Sequence, residues 1–106
     1  MTSYCLIHGS GQGPEGWKLL VQELERRDHR VLTPALRVSR NDEGLVWHAE
    51  TLVEALEGSG LQSPEVVCVA HSASGMYLPL VAERWPPRRM VFLAAAIPRP
   101  GLSMMD

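Results

Sequence analysis

The sequence predicts an α/β fold: a three-layer sandwich with helices on both faces of a short parallel sheet, in strand order 2-1-3-4. Three observations carry that expectation. Short apolar runs alternate with amphipathic segments along all 106 residues, with no low-complexity linker between them. The successive runs are about 30 residues apart, the length of a βαβ unit, and parallel strands need such long right-handed crossovers. Finally, Val66-Val67-Cys68-Val69-Ala70 leads directly into His71-Ser72-Ala73-Ser74-Gly75 and a further apolar stretch. A buried strand there turns into a helix within about one residue.

Each element has a local reason. Ser3 to Ile7 is a short apolar run that stops at His8-Gly9, and it reads as a buried strand. Pro14 suits the first turn of a helix, because its missing N–H would find no partner there in any case. Trp17, Leu20, Val21 and Leu24 then recur at i, i+3, i+4 and i+7, which predicts one buried face. Arg30 to Thr33 is a second strand, stopped by Pro34. Leu45, Ala49, Leu52, Val53 and Leu56 mark a second amphipathic helix that ends around Gly58 to Gly60. The third strand spans Glu65 to Ala70. A third helix is expected from about Ala73 to Trp85, kinked where Pro79 removes a backbone hydrogen bond, and stopped by Pro86-Pro87. Met90 to Ala95 is the fourth strand, and its unbroken apolar character predicts burial on both faces.

Composition narrows the function classes. A chain of this length is one domain, residues 1–106, with 45% hydrophobic residues for a core. A formal net charge of −2 gives no electrostatic case for nucleic acid or for an anionic membrane surface as partner. No apolar run approaches the ~20 residues that span a bilayer. The N-terminus lacks a basic segment followed by an apolar one, so no secretory signal is read. The two cysteines, Cys5 and Cys68, fall inside strand-like runs and read as buried reduced thiols. Together these features point to a cytoplasmic protein. No Cys/His spacing suggests zinc, and nothing calls for a cofactor.

The chemistry converges on one crevice. A serine at the apex of a strand-to-helix turn is pushed out above the sheet, and the residues two places either side must be small. Ser72 is that serine, with Ala70 and Ser74 as its flanks. In order 2-1-3-4 the direction of winding reverses between the first and third strands, and ligands sit at the carboxyl ends of the strands beside such a reversal. Those ends carry His8-Gly9-Ser10 and His71-Ser72-Ala73. Acyl transfer through serine needs a nucleophile and two N–H donors for the developing oxyanion. The backbone N–H of Ala73 is one candidate donor, and that of Ser10, on the glycine-rich turn, is the other. Gly9 and His71 complete the candidate oxyanion and substrate-binding set: Gly9 lets that turn approach a ligand closely, and His71 adjoins the nucleophile with its side chain directed away from the hydroxyl. The bland alternative is an ordinary turn serine beside tight-turn glycines.

With those residues in view, the sequence resembles the α/β-hydrolase superfamily. The resemblance rests on His8-Gly9-Ser10, Trp17, Ala70-His71-Ser72-Ala73-Ser74-Gly75 and Phe92-Leu93-Ala94-Ala95-Ala96-Ile97-Pro98. The last stretch is similar to the plant methylesterase and hydroxynitrile lyase branch and its bacterial esterase relatives. The resemblance implies a truncated α/β-hydrolase fold, the front half of such an enzyme. It further implies a small-molecule ester or related acyl substrate, with Ser72 as the nucleophile. Ala70 and Ser74 stand where the usual elbow has glycine, a small-for-small departure.

In that superfamily the orienting acid and the base histidine come after the fourth of these strands, so the resemblance implies that this chain lacks both. None of its four histidines reads as the base. His8 belongs to the oxyanion turn, His29 lies at the far end of the sheet, His48 sits in the second helix, and His71 points away. Three secondary readings follow. One is a non-catalytic remnant or assembly module; another is a hydroxynitrile lyase-like activity on the same elbow. The third is nucleotide binding through Gly11-Gln12-Gly13-Pro14-Glu15-Gly16, which matches G-x-G-x-x-G but has Thr33-Pro34 where that fingerprint wants an acid. The apolar fourth strand, Val91 to Ala96, has nothing in sequence to pair its outer edge, which predicts a homo-oligomer through that edge.

Overall fold

The computed structural model describes residues 2–9, 12–36 and 45–97. Strand β1 (Ser3–Ile7) is followed by a 3₁₀ turn (Pro14–Trp17) and helix α1 (Lys18–Arg26), then β2 (Arg30–Leu32) and α2 (Leu45–Glu57). Next come β3 (Val66–His71), a 3₁₀ turn (Ser72–Met76), α3 (Leu78–Arg84) and β4 (Arg89–Leu93). The four strands form one sheet in the order β2-β1-β3-β4, all parallel, as expected from the sequence.

The connections decide which face each helix covers. From β1 to β2 the chain steps one way across the sheet; from β2 to β3 and from β3 to β4 it steps the other way. Right-handed crossovers therefore place α1 on one face and α2 with α3 on the opposite face. The core forms on the second face. Cys5 and Ile7 of β1 join Val66, Cys68 and Ala70 of β3, and against them pack Leu52, Val53 and Leu56 of α2 and Leu78 and Val81 of α3. Each fully buried leucine there contributes about 1.5–3 kcal/mol of apolar burial. His48 of α2 stacks on Tyr77 at 4.8 Å between ring centroids, joining α2 to the chain just before α3.

Both cysteines are free and buried, as read from the sequence. They are register partners on adjacent strands. The hydrogen bond with Cys68, then burial, pushes the Cys5 thiol well above its ordinary range.

Three expectations need correction. The segment after Ser72 is not one kinked helix: a 3₁₀ turn runs to Met76 and α3 begins anew at Leu78. Pro79 sits in the first turn of α3, where its missing N–H leaves no gap, so it starts a helix rather than bending one. The predicted buried face of α1 is only half-buried at Trp17, Val21 and Leu24, and Leu20 is exposed. Among the described residues α1 has no helical neighbour on its face of the sheet. Finally, β4 stops at Leu93, and Met90, Val91 and Leu93 are exposed rather than buried. Phe92 packs on the core, whereas Val91 and Leu93 project from the opposite face, and Met90, on the Phe92 side, is exposed as well. Among the described residues no helix is long and apolar enough to cross a membrane.

Candidate functional site

The carboxyl ends of β1, β3 and β4 meet at one end of the sheet. At β3 the chain turns sharply. His71 is still extended, whereas Ser72 has φ = +57°, a left-handed conformation that costs a non-glycine residue about 1–2 kcal/mol. The strain persists because the surroundings hold the turn from both sides. The Ser74 hydroxyl donates to the His71 carbonyl at 2.8 Å, with the Ile7 carbonyl also within reach at 3.2 Å. Ser74 is fully buried, so its hydroxyl ties the end of β3 to the end of β1 where a glycine could not. On the other side the Ala96 N–H donates to the Ser72 carbonyl at 3.0 Å. A side chain at Gly75 would collide with the Ala96 carbonyl oxygen, so only glycine admits that close approach. Ala94, which begins the return from β4, is also left-handed at φ = +46°.

The outcome is a serine side chain held outward. Ser72 is exposed while Ala73, Ser74, Gly75 and Met76 are buried beneath it. Among the described residues its hydroxyl has no hydrogen-bond partner. Ala73 lies in the first turn after the apex, where backbone N–H groups have no partner within the turn.

Gly9 faces Ser72 across the crevice. A Cβ built on Gly9 would lie 3.0 Å from the Ser72 Cβ and 3.2 Å from the His71 carbonyl oxygen, so the two turns are already in contact. The Gly9 N–H is engaged by the Gln12 side chain at 2.8 Å. Ser10 lies outside the described residues, as do Asp42 and Glu43 and the tail that carries Met104, Met105 and Asp106.

The histidines of this end of the sheet and of the opposite end have separate partners. The buried His8 accepts the Leu36 N–H at Nε2 (2.8 Å), which assigns the proton to Nδ1, and Nδ1 donates to the Gly9 carbonyl at 2.9 Å. Both of its nitrogens are committed, and it bridges the loops after β1 and β2. His29 stands at the opposite end of the sheet, with Nδ1 against the Thr2 carbonyl and its ring edge-on to Tyr4. His71 turns away from the Ser72 hydroxyl: its Nδ1–H donates to Gln12 Oε1 at 3.0 Å and its ring meets Trp17 edge-on, 6.1 Å between centroids. A cavity of about 370 Å³ opens on that side, walled by His8, Gln12, Trp17, His71 and Leu93 among others. Among the described residues no three histidine, cysteine or acidic side chains gather as a metal site would require.

Sequence reasoning passed over two contributors. Gln12 was visible only as the x of a glycine motif, although a carboxamide within a glycine-rich turn was a usable signal. The segment after β4, Ala94 to Ala96, entered only as part of a predicted strand and of the resemblance motif, so its backbone contact with the elbow was not read.

Comparison with known proteins gives a consistent picture. Residues 6–106 match the model of the alpha/beta hydrolase family. The chain is 31% identical over 114 aligned positions to a carbendazim hydrolyzing esterase of Nocardioides sp. (strain SG-4G), covering 99% of this chain and 46% of that protein. It is 32% identical to salicylic acid-binding protein 2 of Nicotiana tabacum, covering 90% of this chain and 40% of that one. Among solved structures, an extracellular alpha/beta-hydrolase from a Paenibacillus species superimposes with a TM-score of 0.83 at 25% identity, over 97% of this chain and 44% of that one. Polyneuridine aldehyde esterase superimposes with a TM-score of 0.77 at 29% identity, over 99% and 44%. The chain therefore spans a little under half the length of the proteins it matches.

Proposed function

The chain belongs to the alpha/beta hydrolase family, and from that premise we propose that it supplies the nucleophile half of a serine esterase. The single observation that carries this reading is Ser72, a left-handed, exposed serine at the apex between β3 and the turn that follows. In the proposed reaction the Ser72 oxygen attacks the carbonyl carbon of a small ester or related acyl compound. The resulting oxyanion is met by the Ala73 N–H and, from the turn after β1, by that of Ser10. Collapse expels the alcohol and leaves an acyl group on Ser72, which water then removes. Each oxyanion donor is worth on the order of 10²–10³ in rate. Several relatives named as esterases support the substrate class.

The serine proton needs an acceptor, and among the described residues no imidazole approaches the Ser72 hydroxyl. The base and its orienting acid are assigned to a segment outside the described residues, in keeping with relatives that are more than twice as long. A pocket and oxyanion donors without the base retain on the order of 10³–10⁴ over water. That same missing contact favours a second reading, in which the fold serves as a non-catalytic assembly module. In either case the exposed edge of β4, with Met90, Val91 and Leu93 at its surface, is proposed to pair with a second copy of this chain.

Reaction with a fluorophosphonate probe separates the two readings. The esterase reading expects one covalent adduct, mapped to Ser72 and absent from Ser72→Ala. An unlabelled protein, or labelling that survives in Ser72→Ala, overturns it.

A further inference from the structure

Gln12 has no part in the reaction described above, yet it holds its two turns together. Its side-chain oxygen, Oε1, accepts the Gly9 N–H at 2.8 Å and the His71 Nδ1–H at 3.0 Å. Its own backbone N–H donates to the Gly9 carbonyl at 3.2 Å. A carboxamide oxygen has two lone pairs, so one atom can take both donors. One end of this bridge is the residue immediately before Ser72; the other is the glycine whose turn already touches the Ser72 Cβ. Among the described residues, the other side-chain hydrogen bond between the ends of β1 and β3 is that of the Ser74 hydroxyl to the Ile7 carbonyl, one layer below.

We propose that Gln12 is a positioning residue: its carboxamide oxygen sets the spacing between the turn after β1 and the Ser72 elbow, and it holds His71 as the Nδ1–H tautomer. The effect on rate rests on the serine-nucleophile reading given above; the tautomer does not. Which nitrogen of a histidine carries the proton is set by the partner of each nitrogen. With Nδ1–H pointed at Gln12, the Nε2 lone pair is the acceptor left to the rest of the ring's surroundings. Removing the Gln12 oxygen takes away the reason for that tautomer and frees the Gly9 N–H together. Methionine matches glutamine in length but offers only a weakly accepting thioether, whereas glutamate keeps both acceptor positions.

The test uses the full chain and two readouts. In two-bond ¹H–¹⁵N spectra of the histidine rings, wild type and Gln12→Glu should show His71 as Nδ1–H, and Gln12→Met should shift it towards Nε2–H. With a fluorophosphonate, Gln12→Met should lower the maximal rate of Ser72 labelling by about tenfold or more, with the half-saturating probe concentration within about twofold; Gln12→Glu should recover most of the rate. A wild-type His71 protonated at Nε2, or one that keeps Nδ1–H in Gln12→Met, overturns the tautomer assignment. Equal labelling rates in wild type and Gln12→Met overturn the positioning role. If wild type takes no label at Ser72, the nucleophile reading fails and the ring spectra alone decide the Gln12 bridge. Gln12 is exposed, so its variants should fold; Gln12→Ala provides a second substitution with the same two outcomes.

Discussion

At Ser72 the backbone carries a cost that the side chain alone does not explain. A left-handed φ of +57° is unfavourable for serine and neutral for glycine. Ser72→Gly should therefore stabilise the fold by about 1 kcal/mol, which for a domain of this size raises Tm by about 4–8 °C. Ser72→Ala, equally strained, should leave Tm close to wild type. Thermal unfolding of the three proteins checks the difference, and an unchanged or lowered Tm in Ser72→Gly would show the turn to be unstrained. The apex was legible in sequence because strand-to-helix turns demand small neighbours, and Ala70 and Ser74 satisfy that demand. What Ser74 adds was not legible: its hydroxyl bonds the Ile7 carbonyl, 67 positions away in the chain.

Among the elements, β1 and β3 form the frame, and Ser74 is the side chain that joins their ends. Replacing it by alanine removes a buried hydroxyl and leaves the His71 carbonyl short of a partner. The expected loss is about 1–2 kcal/mol, read as a lower urea midpoint with an unchanged slope. A midpoint equal to wild type would mean that the hydroxyl holds nothing. Helix α2 was read well from its periodicity, since Ala49, Leu52, Val53 and Leu56 all face the core. The face predicted for α1 was not buried to the same degree. Periodicity records which side of a helix is apolar, and says nothing of how much of that side its neighbours cover. The single helix expected after Ser72 failed for a different reason. Apolar content continues through Tyr77 and Leu78, but the tight 3₁₀ winding imposed by the elbow ends at Met76, and Pro79 is best placed in a new first turn.

Across the described residues, the outer side of β4 is the outstanding feature. Met90, Val91 and Leu93 are each at least 40% exposed on a strand whose outer N–H and C=O groups meet no other strand among the described residues. Such an edge is a template for pairing with another chain. If β4 pairs with a second copy as proposed, light scattering at tens of micromolar should report a dimer or larger species, and Val91→Lys should return it to monomer, because a charged side chain on an edge strand opposes pairing. A strictly monomeric wild type would rule out that pairing. The opposite edge is protected differently, by a β2 of only three residues with Pro34 two positions beyond its end.

The order of the elements, the parallel sheet and the sharp turn at Ser72 were determined by the sequence itself. Each rests on short-range chemistry: apolar periodicity, the lengths of crossovers, and the steric demand for small residues at a bend. The tertiary structure alone decided which side chains complete the crevice. Gln12 reaches His71 across 59 positions of chain, and the Ala96 N–H meets the Ser72 carbonyl from the segment that follows another strand. Those contacts depend on strand register and on the hand of each crossover, which no local pattern encodes.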